Sequence, residues 1–157
     1  MTKTSLRYVK QKTENDCGVA ALAMACDLKY EQVANSLVVG DGNGIRVSEA
    51  MGEEGMNDDL VKAFLLFNGW SWQEATRNIW MKGSFHPRHP WPPQPFASVH
   101  ICFVEATKGW HYCVMDFDGS VRDPWKEERR SLGHADFKRV ASVLGLYKIR
   151  RNYTEAA

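Results

Sequence analysis

The run Asp16-Cys17-Gly18-Val19-Ala20-Ala21-Leu22-Ala23-Met24-Ala25-Cys26 constrains this chain more than any other stretch. Its residues are small and apolar, and Ala20, Ala21, Ala23 and Ala25 let other elements approach closely. They predict a central buried helix over residues 17–28. Asp16 is a competent N-cap, so the helix is expected to start at Cys17 itself. A thiol in that place feels the positive end of the macrodipole and nearby unpaired N–H groups, which favour thiolate. Cys26 lies nine residues on, about half a turn out of phase, and reads as packing material.

A reactive thiol needs a base, and the base needs an orienting group. Both residue types occur together in Gly109-Trp110-His111-Tyr112-Cys113-Val114-Met115-Asp116-Phe117-Asp118-Gly119-Ser120-Val121-Arg122-Asp123-Pro124-Trp125. The segment predicts a hairpin, with strands over 110–117 and 120–122 and a two-residue turn at Asp118-Gly119. His111 opens the first strand and Asp123 closes the second. A two-residue turn pairs Phe117 with Ser120 and so sets Asp123 opposite Val114, with His111 further down the ribbon. Twist, or a bulge where Pro124 ends the pairing, is then needed to bring the two side chains together.

Taken in order, Gln11-x(5)-Cys17-Gly18 with its alanine-rich helix, His111 at a strand start and Asp123-Pro124 twelve residues later resemble the C39 and C39-like papain-fold cysteine peptidases. The similarity covers the Gln11 segment, the Cys17 helix, the predicted helix over 30–37 and the His111/Asp123 hairpin, about half the chain. It implies Cys17 as nucleophile, His111 as its base, Asp123 as the orienter of His111, and the Gln11 amide in the oxyanion hole. It also implies an α+β papain-like fold, a helical part carrying the cysteine packed on an antiparallel sheet carrying His111 and Asp123. Members of that family cut leader peptides after a Gly-Gly pair while fused to a membrane transporter. No stretch here approaches the roughly 20 apolar residues of a membrane span, which leaves the substrate open. Another peptide, a protein tail, or acyl transfer in place of hydrolysis all use the same thiol chemistry. Gly109 and Trp110 beside His111, and Trp91 on a distant loop, are the expected substrate contacts.

Competing readings come from the residues themselves. A non-catalytic peptide-binding module would keep the fold and the aromatic residues Trp91, Trp110 and Trp125, but has no need of all four catalytic types. His100-x-Cys102 and His111-x-Cys113 place two His-x-Cys pairs on neighbouring strands, which suggests zinc. The Cys-x(2–4)-Cys knuckles of structural zinc are missing, and the apolar neighbours fit ordinary strand patterning, so no metal or other cofactor is expected. Residues 83–97 hold five of the six prolines, with His86 and His89, and predict an extended loop: a plain connector or a rim over the site. His134 is expected to be exposed near a helix start, Asp118 to serve a turn, and Asp116 to be solvated.

The 157 residues carry a net charge of +1, with both signs interspersed. One domain spanning 1–157 is therefore expected, with no electrostatic footprint for nucleic acid. The run Glu127-Glu128-Arg129-Arg130 reads as solvated surface. Residues 40–44 are glycine-rich but lack the P-loop spacing and its Lys-Ser/Thr. No signal-peptide core is visible, so a cytoplasmic chain with reduced thiols is expected, acting on a peptide or protein partner. The remaining elements are predicted as strands over 6–9, 70–74, 98–105 and 146–150, and helices over 47–51, 58–67 and 136–143.

Overall fold

The computed structural model describes residues 6–38, 44–75, 79–80, 97, 99–116, 118–130 and 136–149, with backbone alone at 75 and 79–80. The chain opens without a strand at 6–9. That segment is held by single contacts to the later hairpin, such as the Leu6 N–H on the Asp116 carboxylate.

Helix α1 (Cys17–Cys26) follows, and every residue from Gly18 to Ala25 is buried. It ends short of 28 because Asp27 turns left-handed at φ 54° and the Leu28 N–H reaches back to the Ala23 carbonyl. A Cβ added to Gly18 would lie 2.9 Å from Cβ of Met56, so this packing admits nothing larger than glycine after the thiol. Helix α2 (Tyr30–Ala34) is shorter than expected: Leu37 joins strand β1 (Leu37–Val38), which pairs with β2 (Ile45–Arg46). Short α3 (Val47–Ala50) leads to α4 (Asp58–Phe67), whose start is capped by Asn57 accepting from the Leu60 N–H at 2.8 Å.

The second part is an antiparallel sheet of β3 (Trp70–Ala75), β4 (Ile79–Trp80), β5 (Val99–Ala106), β6 (Gly109–Met115), β7 (Val121–Arg122), β8 (Arg129–Arg130) and β9 (Phe137–Lys148), in the order β3-β9-β5-β6-β7-β8 with β4 also on β9. The expected helix over 136–143 is in fact the first half of β9. Ser142 to Leu146 is buried between β3 and β5, and a run covered on both sides loses the alternation that marks a strand. Register shifts between β5 and β9 at Phe103/Val104 and Glu105/Ala106 add local twist.

Two apolar clusters hold the sheet. On one face Val99, Ile101, Tyr112, Val114, Leu144 and Leu146 pack on α1 and on Val61, Phe64 and Leu65 of α4. On the other, Cys102, Val104, Cys113, Met115, Val121, Val140 and Val143 gather. The architecture is α+β, with the buried helix lying against one face of an antiparallel sheet.

Candidate active site

The approach to α1 is built by Asp16, though not as a cap. Its side chain makes no capping bond; it turns back to accept from the N–H groups of Lys12 (3.0 Å) and Thr13 (2.9 Å) and from the Tyr30 hydroxyl. The carboxylate therefore shapes the Gln11–Asp16 loop and gives the first N–H groups of α1 no side-chain cap. Cys17 stands half-buried at this helix start.

The hairpin differs from expectation by one residue. Met115 pairs with Val121 and Val114 with Arg122, while Asp116 and Ser120 close a three-residue loop with Gly119 at φ 84°. That is the wide loop with a left-handed glycine, not the two-residue turn. The shift is decisive for the site. Continued one step, the ladder sets Asp123 beside Cys113, hence on the face of His111, whereas the expected register placed it on the opposite face.

There His111 Nε2 and Asp123 Oδ1 lie 2.6 Å apart, with side chains 14% and 7% exposed. Asp123 also opens a turn. Its Oδ1 accepts the Trp125 N–H at 2.9 Å and its carbonyl accepts the Lys126 N–H at 3.2 Å, with Pro124 fixing φ at the second position. The Tyr8 hydroxyl donates to the same carbonyl at 2.8 Å. Burial, together with the negative charge of Asp123, pushes that hydroxyl up to about 12, so it stays a donor.

Besides Asp123, Cys17 is the second group that acts on the imidazole of His111. Burial pulls His111 down, but its interactions with Asp123 and Cys17 outweigh this and raise it to about 9. Burial lifts Asp123, yet the hydrogen bond and charge of His111, the Trp125 N–H and the charge of Arg130 leave it below the usual carboxylate range. Such an assembly holds an imidazolium across neutral pH.

Gln11 is buried and tied to the same turn, its N–H donating to the Pro124 carbonyl at 2.9 Å. Its Nε2 donates to the Thr13 carbonyl at 2.7 Å, which spends one of two amide hydrogens, and Oε1 has no partner among the described residues. Beside it lies a groove of about 530 Å³, lined among others by Gln11, His111, Asp123, Gly109, Trp110 and Trp125. Cys17 is not in that lining. Trp110 is 49% exposed and stacks on Phe103 at 5.0 Å, and Lys108 Nζ sits 4.3 Å over the Trp125 ring. Trp91, His86, His89 and His134 fall outside the described residues.

The remaining thiols and His100 stay apart from this chemistry. Burial pushes Cys26 up to about 12. Cys102 and Cys113 face each other across β5 and β6 with no exposure, and the interaction with Cys102, added to burial, raises Cys113 well above its ordinary value. His100 pairs with Met115 and His111 with Val104, four residues apart along β5, or roughly 13 Å. The two His-x-Cys pairs therefore do not converge on one metal. Arg130 and Tyr8 were missed from sequence. Alternation in β8 turns Arg130 inward opposite Val121 while Arg129 faces out, a distinction that needs the β7–β8 register.

No family model and no curated protein sequence matches the chain. Its fold is that of C39-type papain-like peptidase domains. The peptidase domain of Streptococcus ComA, a bi-functional ABC transporter involved in a quorum sensing pathway, superposes with a TM-score of 0.60 at 14% identity, covering 93% of this chain and 100% of that one. A double glycine motif protease from an AMS/PCAT transporter, solved in complex with its leader peptide, gives 0.60 at 16% identity over 92% of each chain. Among the described residues no helix is long and apolar enough to cross a membrane.

Proposed function

We propose that this chain, as one domain, is a thiol peptidase that cleaves a peptide or protein amide through an acyl-Cys17 intermediate. The observation that carries the reading is the buried His111–Asp123 pair, 2.6 Å apart, with Cys17 close enough to raise the same imidazole. The Cys17 thiolate attacks the carbonyl carbon. The oxyanion that forms is met by the Cys17 N–H and the second hydrogen of the Gln11 amide. Collapse breaks the C–N bond, and the proton on His111 goes to the departing amine. Water then attacks the thioester with His111 taking its proton, which releases the carboxylic acid and restores the pair. Asp123 holds the ring in one tautomer throughout. Gly109, Trp110 and Trp125 offer an aromatic wall to the peptide beside His111. Four unbridged cysteines fit a reducing, cytoplasmic setting.

Two measurements test this. Alkylation of each cysteine across about pH 4 to 9, resolved by peptide mass spectrometry, should show Cys17 alone labelling fast on the acid side, and that reactivity should vanish in His111→Ala. A panel of peptides with and without a Gly-Gly pair should then yield products from the wild type and none from Cys17→Ala. Equal labelling of Cys17 and Cys26 at low pH would sink the enzyme reading and leave a peptide-binding cleft.

A further inference from the structure

We propose that Arg130 is a positioning residue for this chemistry: its guanidinium holds the Asp123 carboxylate ionised and aimed at His111. The inference deepens the thiol-peptidase reading and rests on it. Strand β8 pairs with β7 so that Arg130 stands opposite Val121, on the face that carries His111 and Asp123. Its side chain is 7% exposed, far too buried for a solvated surface charge. Nη1 lies 3.6 Å from Asp123 Oδ2 and 2.8 Å from Asp136 Oδ2, and Nη2 lies 3.3 Å from Glu128 Oε2. Nε is buried with no hydrogen-bond partner among the described residues.

A buried cation with an unmet donor costs stability, so its place beside the carboxylate calls for a reason. Asp123 Oδ1 is already occupied by His111 and the Trp125 N–H, which leaves Oδ2 to face Arg130. Asp136 at Nη1 and Glu128 at Nη2 hold the guanidinium in this place. Two effects follow from charge alone. The cation keeps a buried carboxylate ionised at lower pH than burial would allow. It also tempers the pull of that carboxylate on the imidazolium proton, since part of its charge is already answered. The other titratable groups facing this centre are Tyr8 from the N-terminal segment, Cys17 from α1, Cys113 from β6 and Glu127 from the turn before β8.

The test compares wild type, Arg130→Met and Arg130→Lys. It follows the His111 imidazole by NMR and Cys17 alkylation by mass spectrometry, each across pH. In Arg130→Met, His111 should give up its proton on the order of one pH unit higher. The Asp123 carboxyl, followed by NMR in the same samples, should also take up its proton at higher pH. Arg130→Lys, which keeps the charge, should return both titrations most of the way. A folded Arg130→Met whose titrations coincide with wild type makes Arg130 a structural staple and overturns the proposal. If that variant does not fold, uncharged Arg130→Gln carries the same test. A wild type whose Cys17 shows no His111-dependent reactivity removes the peptidase reading instead, and the imidazole titration still decides the role of Arg130.

Discussion

His100 and His111 project from the same face of the β5–β6 hairpin, and burial bears on both, yet their rings are driven in opposite directions. At the β5 end, desolvation pulls His100 down to about 4. At the other end burial also disfavours charge, but Asp123 and Cys17 overcome it and lift His111 to about 9. Burial favours a neutral ring at His100. A carboxylate on Nε2, with Cys17 adding to its pull, favours a cation at His111, and the one-residue register of the β6–β7 loop delivers that carboxylate.

The strongest way to break the contrast is to remove the pair. His111→Ala and Cys17→Ala should each cut turnover by roughly 10⁴ or more while the far-ultraviolet circular dichroism stays native. Asp123→Asn makes the His111 surroundings resemble those of His100: turnover should fall on the order of 10²-fold, and NMR should find the imidazole titrating well below its wild-type value. Gln11→Ala should lower kcat on the order of a hundredfold and leave that titration in place, as an amide proposed to act on the oxyanion and not on the ring requires.

Stability against pH sharpens the comparison further. His111 is raised on folding, so its contribution is fully present below its unfolded value near 6.5 and fades as pH climbs through about 9. His100 is depressed, so the unfolded chain alone takes a proton as pH falls from about 6.5 towards 4, and stability drops there. Asp123, depressed as well, adds stability above its unfolded value that is lost as pH falls through its folded one. Urea midpoints measured across pH should therefore lose slope between about 6.5 and 4 in His100→Gln, where Asp123 keeps a residual acid slope, and between about 6.5 and 9 in His111→Gln. The smallest effect belongs to Cys26→Ala, for which kcat/KM should match wild type within experimental error.

What the sequence disclosed was local. A run of small apolar residues declares α1, the Asn57-Asp58 start and spacing of apolar residues declare α4, and the His111 and Asp123 segments read as one hairpin. The errors share a cause: each was settled by which partner a residue meets and not by the residue type itself. Residues 136–143 carry no alternation of their own and become strand because β5 and β3 or β4 flank them. Asp118-Gly119 fits a two-residue turn, and only the pairing of Met115 with Val121 selects the wider loop. Asp16 has the composition of a cap, but the Lys12 and Thr13 N–H groups and the Tyr30 hydroxyl compete for its oxygens and win. Arg130 looked like solvated charge because its direction depends on a register that no short motif encodes.

The burial of α1 from Gly18 to Ala25 has a consequence for how the chain comes into being. This helix has no polar stripe to show to water, and Leu144 and Leu146, part of the wall it packs on, belong to β9, more than a hundred residues later in the chain. During synthesis the thiol-bearing segment therefore emerges long before its cover exists. Its apolar surface must be shielded in the interval, by collapse onto α4 or by a chaperone. The β9 pairings span long stretches of chain, so the sheet closes slowly and late. The Cys17 helix and the groove beside His111 thus mature together, and a nascent chain that ends before the His111–Asp123 hairpin lacks the partners proposed to activate the thiol.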